Sequence, residues 1–425
     1  MRGGGREVHQ AVSRVLVFTI VLSIAPVLLA QTQQGLRDRD QTLDASKTIA
    51  ADLQKARAHY GPFYLLSSIE LSDIGYNQEI LAPTSNESGG VALGISAPQR
   101  LYFVPSRKQV YSISATPQYA ITTGNRSNQF GYLVRGDAQY LLNHLYLDFF
   151  GSQSDALDAG TTEINQLTTV RSRTVGLASE IRYSSRTNLA FNASTTTMTH
   201  PSSRLQPEDI PVNLLDRTQQ DYRLSLRHKT FPLTSLFLAG ERSNYHFALT
   251  RYKDSKRTYA GAGAVRDSGR STIRLEGGVA KLDFDDPSQK GFRGAVGNLT
   301  TTYRLTGRTN FTASGARDIE FSISPISNYY VMDRAAASIE YIATRKLTLN
   351  VTSSGYRDTY PVASFDPLGV FHRRVDTVTF NSVGWMYSLH RIRGGFDVGY
   401  YDRTSNFGFD ENHGIRLVLH LSLTP

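Results

Sequence analysis

Asn412-His413-Gly414-Ile415-Arg416-Leu417-Val418-Leu419-His420-Leu421-Ser422-Leu423 brings the chain almost to its last residue on a two-residue rhythm. Ile415, Leu417, Leu419, Leu421 and Leu423 alternate with Arg416, Val418, His420 and Ser422. Successive side chains of a β-strand point to opposite faces, so the segment has one apolar face and one mixed face. The rhythm recurs upstream. Tyr222, Leu224 and Leu226 alternate with Arg223, Ser225 and Arg227, and Ile392, Phe396, Val398 and Tyr400 with Arg393, Asp397, Gly399 and Tyr401. From about Pro62 onward no long helical period interrupts these stretches, which are rich in Tyr, Phe, Thr, Val and Leu.

A soluble sandwich also alternates, and three features decide against it. The alternating stretches exceed the roughly 5–6 residues of an ordinary strand and match the roughly 9–11 tilted residues that cross a bilayer. The links between them are short and long in turn. The 23 Tyr and 20 Phe fall often near strand ends, as at Tyr259, Tyr329, Tyr330, Tyr360, Tyr401 and Phe407, where interfacial girdles would place them.

The short links repeat. Ser185-Arg186-Thr187-Asn188-Leu189 returns as Gly269-Arg270-Ser271-Thr272-Ile273 and as Gly307-Arg308-Thr309-Asn310-Phe311, with Thr344-Arg345-Lys346-Leu347 as a fourth copy. Arg270, Arg308 and Arg345 are 38 and 37 residues apart, and Arg186 lies 84 before Arg270. One unit is therefore a tight turn, two strands and a long loop, the repeat of an up-and-down barrel with short periplasmic turns. Further short turns fall near Arg107, Asn143, Pro232 and Arg391. Eight turns join sixteen strands. A first strand near Phe63–Ile74 and the last, Gly414–Thr424, make about 18 in a transmembrane antiparallel up-and-down β-barrel, all-β in class. Sixteen is the alternative, if the first strand and Val91–Val104 lie outside the wall.

The N-terminus supplies the address. Arg2, Arg6 and Arg14 precede the uncharged run Val15–Ala30, which reads as a cleaved signal peptide (1–30) ending before Gln31. The run is shorter than the ~20 residues of a spanning helix. A periplasmic lead-in (31–61) follows, with an amphipathic helix over Asp44–Tyr60 that carries Ile49, Leu53 and Ala56 on one face, and the barrel occupies 62–425. No cysteine occurs, which excludes disulfides, thiolate metal sites and lipidation after the signal. The net charge is +9, of which residues 1–30 carry +2. The cations are scattered singly, without a basic run or a nucleic-acid motif, so no nucleic acid is expected as partner.

Asn412, Gly414, Leu417 and Leu419 stand where the insertion signal of outer-membrane barrels has a polar residue, a glycine and alternating apolar residues. The segment resembles that signal, although the chain ends Leu-Thr-Pro rather than on an aromatic residue. The resemblance implies the barrel insertion machinery as a partner, and the outer membrane with its lipid and lipopolysaccharide as surroundings. Leu71-Ser72-Asp73-Ile74-Gly75-Tyr76-Asn77 resembles the opening of porin-like β-barrels found in exopolysaccharide gene clusters. That resemblance implies a polysaccharide-linked export or porin role.

Catalytic signatures are missing: no Gly-x-Ser-x-Gly elbow, His-Glu-x-x-His pair, phosphate loop or dinucleotide fingerprint occurs. His144, His228, His246, His372, His390, His413 and His420 are dispersed, and no cofactor or metal is expected. Asp283-Phe284-Asp285-Asp286 reads as a solvated outer loop rather than a cation site. With apolar partners facing lipid, the lumen-lining candidates are Arg135 and Asp137, Glu180 and Arg182, and Arg274 and Glu276. Arg223, Arg227 and Lys229 join them with no carboxylate on their face beyond Asp221, and Arg334, Glu340, Asp397, Arg403 and Arg416 complete the set. These charges either pair across the lumen and stiffen the wall or line a wet, mildly anion-favouring channel. A passive channel or export conduit, not an enzyme, is the leading expectation. A barrel hydrolase and a sealed structural barrel are the alternatives. A 22-stranded plugged receptor does not fit within 425 residues, and no passenger precedes the barrel as in an autotransporter.

Overall fold

The computed structural model describes residues 42–56, 58–77, 90–122, 129–158, 163, 168–201, 212–324, 326–365, 370–390, 392–407 and 412–423. The expected signal peptide lies outside them. A helix, α1 (Thr42–Lys55), leads into short strands β1 (Ala58–Tyr60), β2 (Phe63–Ser67), β3 (Ile69–Asn77), β4 (Gly90–Ser96) and β5 (Gln99–Ser106). Then come β6 (Gln109–Thr122), β7 (Gln129–Leu141), β8 (Leu145–Asp158), β9 (Thr168–Arg182), β10 (Thr187–Thr199), β11 (Arg217–Phe231), β12 (Thr234–Phe247) and β13 (Ser255–Asp267). The rest are β14 (Ser271–Phe284), β15 (Phe292–Arg304), β16 (Thr309–Phe321), β17 (Tyr329–Ile342), β18 (Leu347–Phe365), β19 (Phe371–Leu389), β20 (Ile392–Ser405) and β21 (Asn412–Leu423).

All 21 segments belong to one antiparallel sheet. β2 with β3, and β4 with β5, are single wall strands broken at Ser68 and at Ala97–Pro98, and β1 is a three-residue appendage. The wall therefore has 18 strands, and Val91–Val104 belongs to it, which removes the sixteen-strand alternative. Closure is direct: β21 pairs with β3, Leu417 opposite Tyr76 and Leu423 opposite Ile69. A closed ladder leaves no strand edge, the condition for sheet to cross lipid.

The periodicity reads the wall correctly through the membrane band. Leu224 (51% exposed), Leu238 (60%) and Val383 (60%) point outward, while Asp221, Arg223, Ser225 and Glu241 between or beside them are buried. The turn repeat has a side-chain cause. Ser184 Oγ accepts the Arg186 and Thr187 N–H groups at 3.2 and 3.0 Å, Thr306 Oγ1 accepts that of Arg308 at 3.1 Å, and Thr344 Oγ1 accepts those of Lys346 and Leu347 at 3.2 and 3.0 Å. Ser268 Oγ holds the Ser271 N–H at 3.1 Å in the same way, each a hydroxyl-capped turn. The true period thus runs over Ser268, Thr306 and Thr344, 38 residues each. Lys346, not Arg345, is the structural equivalent of Arg308. The carbonyls of Arg186, Arg270, Arg308 and Lys346 each accept a backbone N–H from the end of the strand after next, those of Lys229, Arg304, Ile342 and Ser388, at 2.7 Å.

The aromatic assignment needs correction. Tyr259, Tyr329, Tyr330, Tyr360 and Phe407 are 1–6% exposed and are not in a girdle. The outward aromatics near the tight turns are others: Tyr303, Tyr341, Trp385 and Tyr387, each 41–45% exposed. The buried set serves the inner side of the outer rim, where a hairpin needs apolar surface to pack on.

Candidate functional site

The inner wall holds a chain of alternating charges. Arg223 on β11 donates to Glu241 on β12 at 3.2 Å and to Glu276 on β14 at 2.9 Å. Glu241 also accepts from Arg257 on β13, whose other amine donates to Asp318 on β16 at 2.8 Å. Arg223 is 1% exposed. Its expected isolation from carboxylates beyond Asp221 does not hold, because the register sets Glu241 opposite it and Glu276 swings in from a strand further on. Arg227 and Arg274 each lie over the Phe237 ring, 6.0 and 5.7 Å from its centre, and Lys229 is exposed at the tight-turn end. A like-charged, hydrated wall of Arg223, Arg227 and Lys229 is therefore replaced by one paired arginine, one stacked arginine and one exposed lysine.

The other lumen candidates are mostly paired as well. Arg135 clasps Asp137 two residues on, with Nε–Oδ1 2.9 Å. Glu180 accepts from Asn188 at 2.9 Å, with Arg182 at 3.9 Å. Glu340 accepts from Asn310 at 3.3 Å, and Asp397 is held between Asn350 at 2.9 Å and His420 at 2.8 Å. Arg403 and Arg374 converge on Asp376 at 3.3 and 2.6 Å. Arg334 is exposed, and Arg416 is half-buried on β21. Of the insertion-signal residues, Leu419 is 43% exposed on the outer face and Gly414 is buried. In the acidic outer stretch Asp283 pairs with Lys281 at 2.7 Å and Asp285 with Lys256 at 2.9 Å.

The outer rim of the barrel is folded inward. The β15–β16 ladder stops at Gly297 opposite Arg317, although β15 begins at Phe292 and β16 runs on to Phe321. Beyond Arg317, β16 stays with β17 alone, and both faces of their hairpin are buried: Asp318, Ile319 and Phe321, then Tyr329, Tyr330, Val331 and Met332. Phe321 meets Tyr245 and Phe247 of β12 at ring distances of 4.8 and 4.9 Å, and Tyr329 meets Phe284 and Phe292 at 6.2 and 6.1 Å. Arg257 on β13 reaches Asp318 on β16 only because the hairpin leans over β14 and β15. On its other face Tyr330 packs on Tyr360 at 5.4 Å.

Two charges from separate loops fasten the hairpin tip. Lys253, fully buried after β12, donates its ammonium to the Ser322 carbonyl at 2.6 Å. Burial lowers its pKa to about 8. Glu163, from the β8–β9 connection eight strands away around the wall, accepts from the Ser322 hydroxyl at 2.7 Å and the Ile323 N–H at 2.6 Å. Enclosure raises the Glu163 carboxyl above the usual range. At the opposite mouth α1 lays Ile49 and Leu53 against Tyr102, Val110 and Leu141 of the inner wall, and Asp52 accepts from Tyr102 at 2.7 Å and Arg100 at 3.0 Å.

Glu241, Arg257, Asp318, Lys253 and Glu163 escaped the sequence reading. In the outer half of β12–β14 the inward face carries Tyr245, Phe247, Tyr259, Leu282 and Phe284 and the outward face Arg242, His246, Lys256, Lys281 and Asp283, the reverse of the membrane band, so the rule that apolar residues face out does not assign sides there. The one legible signal was the reversal itself, Lys281 and Asp283 against Leu282 and Phe284.

The chain is similar in fold to the outer membrane protein OpdK of Pseudomonas aeruginosa, with a TM-score of 0.52 at 11% identity over 85% of this chain and 99% of that one. OpdK crystallised with vanillate gives a TM-score of 0.51 at 12% identity, with the same coverage. It has the fold of the outer-membrane β-barrel channels. No family model matches the sequence, and no curated protein does. At such identity the likeness carries the fold of the barrel and nothing of its cargo.

Proposed function

We propose that this barrel is a passive channel or export conduit of the outer membrane, reached through a cleaved signal peptide. The observation that carries the proposal is a closed 18-stranded wall whose inner face is lined by charged and polar side chains. Barrels of sixteen to eighteen strands have room for an aqueous channel, and charges on the inner face set what passes. The inward hairpin and α1 narrow the two mouths without adding catalytic chemistry. A link to polysaccharide export rests on the resemblance of Leu71–Asn77 alone. Lipopolysaccharide around the wall and the barrel insertion machinery acting on β21 belong to the same proposal.

The barrel-hydrolase reading has three imidazole–carboxylate contacts in its favour: His200–Asp216 and His420–Asp397 at 2.7 and 2.8 Å, and His246–Asp254 at 3.7 Å. None of the three has a serine or threonine hydroxyl on its second nitrogen among the described residues, and the imidazole that meets a hydroxyl, His228 with Thr187 at 2.9 Å, makes no ion pair with a carboxylate there, so no triad is assembled among them. The test of the channel is reconstitution into planar bilayers. Discrete conductance steps are expected, and a membrane that stays silent at high protein load would overturn the channel in favour of a sealed barrel.

A further inference from the structure

Five of the eight tight turns of the barrel carry a cation among the described residues, and none carries an acid there. Between β5 and β6, and then between every second pair of strands, the described turn residues include Arg107, Lys108, Arg186, Arg270, Arg308, Arg345 and Lys346, and no Asp or Glu. All seven are exposed, and none makes an ion pair among the described residues. In the sequence the charged turns lie 37 to 84 residues apart. The up-and-down topology returns the chain to one rim at each tight turn and so collects them into a ring.

The charge continues into the mouth rather than toward lipid. On the last inward-facing positions above the turns stand Arg182, Lys229, Arg304 and Arg393, all exposed. The outward positions beside them are Ile181, His228, Tyr303 and Ile392. Arg266 faces outward at this level, and the inward acids there are Asp267, Glu70, in register with Arg393 through Ser422, and Glu340, in register with Arg304 through Asn310. A ring meant for phospholipid headgroups would show the opposite distribution.

Spacing selects the kind of anion. The charged turns lie two to six strands apart, roughly 12 to 36 Å along the rim of a tilted barrel, beyond the ~8 Å screening length at physiological salt. A small anion therefore feels one or two of these charges, whereas a polymer with repeated negative groups engages several at once. A folded acidic protein would touch only the turn tips. A thin flexible chain can follow Arg182, Lys229 and Arg304 inward.

We propose that the periplasmic mouth is a capture ring for a linear acidic polysaccharide, which meets the turn cations first and is passed to the inward arginines. This rests on the channel reading above and names the substrate class for it. The substitutions Arg186→Glu, Arg270→Glu, Arg308→Glu and Lys346→Glu leave the turns intact, because the turns are held by backbone carbonyls and by Ser184, Ser268, Thr306 and Thr344. Unchanged heat-shifted gel mobility verifies that the variant has folded.

Two readouts separate the capture ring from the channel. Labelled polygalacturonate should bind wild-type protein in nanodiscs of zwitterionic lipid, and binding by the fourfold variant should fall about tenfold or more, the scale of electrostatic capture. Neutral dextran should bind neither. In bilayers, polygalacturonate added at the tight-turn side should block conductance, and addition at the other side should block far less. Equal binding by both proteins, equal blockade from both sides, or binding abolished by anionic lipid in the disc would each overturn the capture ring. Polymer binding without any conductance would refute only the channel.

Discussion

At the scale of single residues, the charge on the inner wall is mostly structural. Arg223 is enclosed between Glu241 and Glu276, and removing one partner of a buried pair costs far more than the pair contributes. Arg223→Met should lower folding stability by about 3–5 kcal/mol, read from guanidine unfolding in lipid vesicles. A midpoint equal to wild type would show that lumen water solvates the two glutamates. Lys229→Glu should leave stability unchanged and shift the reversal potential toward cations, since Lys229 stands exposed near the mouth. Glu163 sets a pH dependence. Its folded pKa is raised from 4.5, so its contribution to the hairpin is complete below pH 4.5 and is lost as pH rises through the raised value. Amide exchange at Ile323, corrected for the intrinsic rate, should be slower near pH 5 than near pH 7, with Lys253 charged throughout. Glu163→Gln should flatten that profile, and a profile unchanged by the substitution would remove Glu163 from its cause.

At the scale of elements, β21 tests the sidedness of the wall. Leu419 faces lipid, where arginine near the midplane costs roughly 2–4 kcal/mol. Leu419→Arg should reduce the folded, heat-shifted band in an outer-membrane fraction, and Ser422→Arg, half-exposed on the inner face, should not. Equal losses would mean that the strand is set with the opposite face inward. Val418 is inward but only 5% exposed, so substitution there is expected to be costly too, a difference from what alternation implies. The β16–β17 hairpin is the second element to test. Lys253→Met combined with Glu163→Gln removes both charges at its tip, and the single-channel conductance should rise at neutral pH. Unaltered conductance would place the narrowest section elsewhere.

At the scale of the whole molecule, closure of β21 on β3 completes the ring of paired strands, and the protein is expected to run faster on unheated SDS gels than after boiling. Recovery as a soluble protein with one gel position would contradict the barrel. The mature protein should begin at or near Gln31, as N-terminal sequencing of membrane-extracted material will show. An intact Met1 would make the first apolar run an anchor.

The wall itself was legible in the sequence. Two-residue alternation in β11, β20 and β21, and arginine-bearing turns 38 and 37 residues apart, fix strand direction, sidedness in the membrane band and a count near 18, because each rests on local backbone geometry. What local geometry cannot carry is which distant residues meet. Alternation put Arg223 on the inner face, but its partners come from β12 and β14. It put Tyr329 and Tyr330 near a strand end, but only the inward lean of the β16–β17 hairpin makes that end a packed interior. The turn cations looked scattered along the chain. Their ring exists because a closed up-and-down barrel brings every other connection back to the same rim, a property of the closed sheet and of no segment within it.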